Sequence, residues 1–107
     1  MSKTMERTLI EVAKIHDLPI QVGKEVNVRG REIALFRLTN GKVKAVENKC
    51  PHKEGPLSQG LVSGEFVFCP LHDWKIDLDN GLVQKPDDGC VQTFEIKVID
   101  DTVFIRI

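Results

Sequence analysis

The 107-residue chain has no tyrosine, one tryptophan and three cysteines, and it has no apolar run near the ~20 residues that cross a bilayer. No membrane span is expected. Its polar start, Met1-Ser2-Lys3-Thr4-Met5-Glu6-Arg7, is not followed by the apolar segment of a secretory signal, so a cytoplasmic location is expected. Three cysteines cannot all pair within one chain, and free thiols in a reducing compartment point to metal or redox use more than to a disulfide framework. A formal net charge of -1 gives no electrostatic case for nucleic acid or a membrane surface. Nor is there an internal repeat, a low-complexity segment or a Gly-rich nucleotide-binding fingerprint. Helical periodicity does not persist anywhere over the ~11 residues that would define an amphipathic helix.

Strand signals are what remains. Thr8 to Ile15, rich in apolar and β-branched residues and followed by Asp17-Leu18-Pro19, predicts a first strand ending in a turn. Gly23 to Val28 places Val26 and Val28 on one face and closes at Arg29-Gly30-Arg31, which predicts a hairpin. The next strand, Glu32 to Thr39, sets Ile33, Leu35 and Arg37 on one side and Ala34, Phe36 and Leu38 on the other. Asn40-Gly41 predicts a type I′ turn into a return strand, Lys42 to Glu47. Further on, Leu61-Val62 and Phe66 to Phe68 flank Ser63-Gly64 as a tight hairpin that ends at Cys69. Asp73 to Leu78 alternates, turns at Asn80-Gly81 and continues through Leu82-Val83, and a terminal hairpin runs from Thr93 to Ile107 around Asp100-Asp101. The pattern predicts a single all-β domain over 1–107, an antiparallel sandwich or barrel.

Two short clusters carry the chemistry. Cys50-Pro51-His52 and Cys69-Pro70-Leu71-His72 hold two of the three cysteines and two of the three histidines. Each begins where a strand runs out, so two loops, about 48–57 and 69–76, are expected side by side at one end of a sheet. Thiolate and imidazole select zinc, iron or iron–sulfur over magnesium or calcium. Zinc fingers usually pair Cys with Cys and His with His along the chain, whereas each cluster here is mixed. A mixed pair lets each loop reach both irons of a diamond-shaped [2Fe-2S] core, with a structural zinc site built from the same four residues as the competing reading.

With C-P-H and C-P-L-H at this separation, in an all-β chain of this length, the sequence resembles the Rieske family over nearly its whole extent. The resemblance implies a Rieske-type [2Fe-2S] cluster, with Cys50 and Cys69 on one iron, His52 and His72 on the other, and Pro51 and Pro70 stiffening the loop tips. Within the family, the run from Cys50 to Gly60, the run from Val67 to Lys75, and Gly89-Cys90-Val91 are similar to the small subunits of assimilatory NAD(P)H-dependent nitrite reductases. That closer likeness implies an oxidoreductase subunit that is not catalytic alone, an electron-transfer or stabilising component. Its partner would be a large subunit carrying FAD, a [4Fe-4S] cluster and siroheme, which reduces nitrite to ammonium. The ferredoxins of aromatic-ring dioxygenase systems share the ligands, length and fold, and a non-redox module with zinc or no metal is a third reading.

Respiratory and photosynthetic Rieske proteins carry one more cysteine in each loop, joined as a disulfide; the matching positions here are Gly55 and Leu71. They also place a serine and a tyrosine hydroxyl near the cluster, at positions that here read Trp74 and Ile76. Hydroxyl donors to the sulfurs stabilise the more negative reduced cluster, so the resemblance implies a low-potential, ferredoxin-like centre. Trp74 is expected as a packing lid over its loop, Cys90 as a small buried core residue, and His16 as a surface residue outside the site. Lys53, Glu54 and Asp73 are expected to form a solvated rim.

Overall fold

The computed structural model describes residues 8–50, 55–70, 74–85, 87 and 89–107. Among these residues the chain forms β1 (Leu9–Lys14), β2 (Gly23–Val28), β3 (Arg31–Arg37), β4 (Val43–Glu47), β5 (Leu61–Ser63), β6 (Phe66–Phe68), β7 (Lys75–Asp77), β8 (Thr93–Ile99) and β9 (Thr102–Arg106). Short 3-10 turns at Ile15–Asp17 and Leu57–Gln59 are the only helical pieces among the described residues. No helix there is long and apolar enough to cross a membrane. Six strands form one sheet in the order β1-β9-β8-β4-β3-β2, and β5-β6-β7 form a second. Pairing between named strands is antiparallel throughout. The larger sheet curls into a nearly closed barrel, with β1 and β2 facing each other across a groove of about 450 Å³.

The strand β3 explains how the two sheets share one molecule. Its sequence reads as a continuous apolar run because both of its faces are buried. Ile33 and Leu35 turn into the barrel, against Leu18, Val28, Val43, Ala45, Phe94, Val103 and Ile105. Ala34 and Phe36 turn outward, and with Leu38 and Val46 they meet Val62, Val67 and Ile76 of the small sheet in a second core. The alternation anticipated from the sequence is therefore present, with both sides apolar for different reasons.

The turns divide into two kinds. Arg29-Gly30 and Asp100-Asp101 have positive φ at both central residues, as type I′ hairpins require. Gly64, first of the two residues between β5 and β6, has φ 61, the sign that a type II′ turn demands there. Asn40-Gly41 departs from the expected type I′ geometry, because only Gly41 has positive φ. The Gly41 N–H donates to the Leu38 carbonyl and the Leu38 N–H to the Lys42 carbonyl, giving a three-residue loop with glycine in the left-handed position. Asn80-Gly81 likewise closes a wider loop, in which the Gly81 N–H donates to the Asp77 carbonyl. Leu38 and Leu78, each 1% exposed, precede these two wider loops: the chain dips to bury a leucine before it turns.

The small sheet is fastened to the large one by backbone proximity and by polar clasps. A β-carbon on Gly23 would lie 2.3 Å from the Ser58 carbonyl oxygen and 2.7 Å from the Ser58 Cα, so only glycine lets β2 approach the Leu57–Gln59 turn. At the rim, Lys44 donates to Asp79 at 2.7 Å and Asn40 to Glu65 at 3.0 Å. The hydrogen bond from Lys44, and then its charge, hold the Asp79 carboxyl below its ordinary 3.8.

Two outcomes are expected. Gly23→Ala should lose about 1–3 kcal/mol, because the backbone it meets cannot move aside as a flexible side chain would; urea denaturation measures this. A carboxylate whose pKa is depressed by folding adds stability above its unfolded value and loses it as pH falls. Asp79→Asn should therefore differ slightly from the parent in melting temperature near neutral pH, with the gap closing below about pH 4 and shrinking in high salt.

Candidate metal centre

The chain leaves β4 through a fixed sequence of backbone bonds. The Glu47 N–H donates to the Gln92 carbonyl at 2.9 Å, tying the strand end toward β8, and the Asn48 N–H donates to the Glu32 carbonyl at 3.0 Å, tying it to β3. Two residues later Cys50 is 0% exposed, and its own N–H donates to the Gly55 carbonyl at 2.8 Å. The loop then returns through Leu57, also 0% exposed, and the 3-10 turn that ends at Gly60.

The second loop has the same closure. Cys69 follows directly on β6, is 0% exposed, and donates its N–H to the Trp74 carbonyl at 2.8 Å. Each cysteine amide thus reaches a carbonyl five residues ahead, and each closure encloses the position of one candidate histidine, His52 in the first loop and His72 in the second. Both histidines lie outside the described residues, as do Pro51, Lys53, Glu54, Leu71 and Asp73. The expected solvated rim falls in the same segments.

Cys50 and Cys69 both belong to one buried core, shared with Phe36, Leu57, Val67 and Ile76. None of the three cysteines is in a disulfide. Two thiols buried in the same apolar core, each at the start of a matched loop, are donors of the kind that suits a soft metal or an iron–sulfur group. Elsewhere among the described residues no group of three or more His, Cys, Asp or Glu side chains is arranged to hold a metal.

Trp74 packs against this core while part of it stays exposed, in keeping with a packing lid. Ile76 is 0% exposed, so neither of the two positions that carry hydroxyls in the high-potential branch offers one here. His16 is exposed, as expected. Cys90 corrects the reading of the sequence: it is exposed, paired to Leu82 in an isolated bridge, while the adjacent Val91 is 6% exposed and fills the core. In a locally extended chain neighbouring residues point to opposite sides, so only one of Cys90 and Val91 can face inward, and the bulkier valine does.

One residue of the site belongs to neither cysteine–histidine motif. Asn48 is 5% exposed, and its Oδ1 accepts the Ser58 N–H at 2.7 Å, linking the two ends of the first loop. Its only signal in the sequence was a polar residue standing between an apolar strand and a cysteine.

A family model for the Rieske [2Fe-2S] domain matches residues 8–95. The chain belongs to the Rieske [2Fe-2S] domain family. Its cofactor is accordingly a Rieske-type [2Fe-2S] cluster, and its class that of an electron-transfer domain associated with oxidoreductases. Among curated relatives, a 59-residue segment is 51% identical to the 4beta-methylsterol monooxygenase of Methylococcus capsulatus, covering 55% of this chain and only 16% of that enzyme. Over 103 residues the chain is 29% identical to the ferredoxin component of naphthalene 1,2-dioxygenase/salicylate 5-hydroxylase systems from Ralstonia sp, covering 95% of this chain and 98% of that one.

Solved structures agree in fold. The ferredoxin of carbazole 1,9a-dioxygenase from Nocardioides aromaticivorans superposes with a TM-score of 0.85 at 27% identity, over 92% of this chain and 96% of that one. A protein assigned as the small subunit of an NADPH nitrite reductase superposes with a TM-score of 0.82 at 27% identity, over 92% of this chain and 97% of that one.

Proposed function

We propose that Cys50 and Cys69 hold one iron of the [2Fe-2S] cluster and His52 and His72 the other, and that the chain is the small subunit of an assimilatory NAD(P)H-dependent nitrite reductase. The observation that carries the ligand assignment is the burial of both thiols in one core at the start of two loops closed in the same way. Bound there, the cluster supplies reversible one-electron transfer. The chain's own part is to hold two thiolates in a dry pocket, through Leu57, Val67 and Ile76, and to bring the histidine-bearing loops together.

The nitrite reductase reading is supported by the residue runs Cys50 to Gly60 and Val67 to Lys75, and by end-to-end likeness to a protein assigned as such a subunit. In that setting the partner is a large subunit with FAD, a [4Fe-4S] cluster and siroheme, and this chain relays electrons or stabilises the complex. A second reading, a ferredoxin serving an aromatic-ring dioxygenase, is favoured by the full-length relative from Ralstonia. Co-purification separates them: a permanent subunit stays with a flavin- and siroheme-containing protein through gel filtration, whereas electron-transfer carriers bury little surface and dissociate. Recovery of the chain alone from its native host would overturn the first reading.

Two further measurements test the centre. Cys50→Ser should abolish the visible spectrum and bound iron, while Cys90→Ser should leave both unchanged; a coloured, iron-loaded Cys50→Ser protein would refute the ligand set. Without hydroxyl donors at Trp74 and Ile76, the midpoint potential should fall in the lower part of the range of roughly -150 to +300 mV found for Rieske centres. Protein-film voltammetry reads it, and a value above the middle of that range contradicts the reasoning.

A further inference from the structure

We propose that Asn48 is a positioning residue for the cluster: its carboxamide latches the first cluster loop shut and so controls how firmly the cluster is held and how dry its surroundings stay. The inference rests on Cys50 being a cluster ligand. Asn48 is anchored on the large sheet, since its N–H donates to the Glu32 carbonyl at 3.0 Å. From that fixed point its Oδ1 accepts the Ser58 N–H at 2.7 Å. Both residues are buried, at 5% and 8% exposure.

The loop therefore has two closures of different kinds. The inner one, from the Cys50 N–H to the Gly55 carbonyl, is made by main chain alone and is open to almost any side chain. The outer one depends on a particular side chain, because only an acceptor at position 48 meets the Ser58 amide. No side chain caps the Leu57–Gln59 turn from Pro56, so Asn48 supplies from ten residues upstream the acceptor that a capping residue would provide.

Removing that acceptor leaves a buried N–H without its partner, a penalty relieved if the 57–59 turn lifts toward water. Leu57, 0% exposed and packed in the same core as Cys50, would lift with it. Water near an iron–sulfur cluster favours its more negative, reduced state, so the potential should rise. Ligand exchange should quicken as well; substitutions around metal ligands commonly change affinity by about 10–100-fold.

The test compares the reconstituted wild-type protein with Asn48→Ala, Asn48→Asp, Cys50→Ser and Thr102→Val. Thr102 serves as control because it is equally buried and hydrogen-bonded, accepting from Lys14 Nζ at 2.9 Å, but lies on β9 away from the cysteine core. Iron release to a chelator and the midpoint potential are read on each cluster-containing protein. Asn48→Ala should release iron on the order of tenfold faster with a raised midpoint, Asn48→Asp, which keeps the acceptor oxygen, should return the release rate to that of wild type, and Thr102→Val should match wild type. Wild-type behaviour of Asn48→Ala, equally rapid release from Thr102→Val, or failure of Asn48→Ala to fold would each overturn the assignment. A cluster retained in Cys50→Ser would overturn the ligand reading on which the latch rests, whereas its loss alongside an unaffected Asn48→Ala would overturn the latch alone.

Discussion

Two thiols have to reach one dry point although the strands that deliver them belong to different sheets. Cys50 follows β4 of the barrel and Cys69 follows β6 of the small sheet, so their spacing is set by how those sheets dock. Docking relies on apolar burial. Phe36, Leu38 and Val46 on one side and Val62, Val67 and Ile76 on the other are all at most 8% exposed, and each such side chain contributes about 1.5–3 kcal/mol when taken from water. The Lys44–Asp79 and Asn40–Glu65 clasps lie at the solvent-exposed rim, where water and salt screen them and leave them weak beside the apolar contact. The apolar contact decides the geometry, and the clasps follow from it.

Much of this was legible because β-structure writes its period into the chain. The alternation in Glu32 to Thr39 separates the two faces of β3, and the hairpins ending at Glu47 and Cys69 fall where the turn residues predict. Turn type was less legible. Asn40-Gly41 and Asn80-Gly81 carry the strongest type I′ signal, yet that conformation occurs at Arg29-Gly30 and at Asp100-Asp101, where no Asn-Gly stands. Local preference was overruled by Leu38 and Leu78, whose burial needs a longer path before the chain reverses. Cys90 went astray for a related reason: Gly89-Cys90-Val91 offers two apolar residues in a row, and the phase of an extended segment depends on its neighbours.

At the site, Cys50 and Cys69 stand out in the sequence because metal chemistry would restrict both residue type and spacing, and both are buried in one core. The bonds that shape their loops are not legible in the sequence. Cys50 to Gly55 and Cys69 to Trp74 are main-chain closures that carry no residue signature, and the bond between Asn48 and Ser58 joins positions ten apart whose proximity depends on the path between them. Ser58 is held in place in turn by β2, where Gly23 leaves room for its backbone. An asparagine at a strand exit acquires a role only once that path is known.

The manner of closure also bears on how the site responds to its surroundings. In the branch of the family with a disulfide between the loops, the position matching Gly55 is a cysteine; here the Gly55 carbonyl instead accepts the Cys50 N–H. A disulfide typically adds about 2–4 kcal/mol, whereas a hydrogen bond contributes about 0.5–1.5 kcal/mol. Loops closed without that crosslink do not depend on oxidising conditions, and among the described residues the main-chain bonds at Cys50 and Cys69 share the closure with apolar packing. The burial of Leu57 beside Cys50 and the packing of Trp74 on the same core supply what the missing crosslink does not, by making any opening expose apolar surface to water.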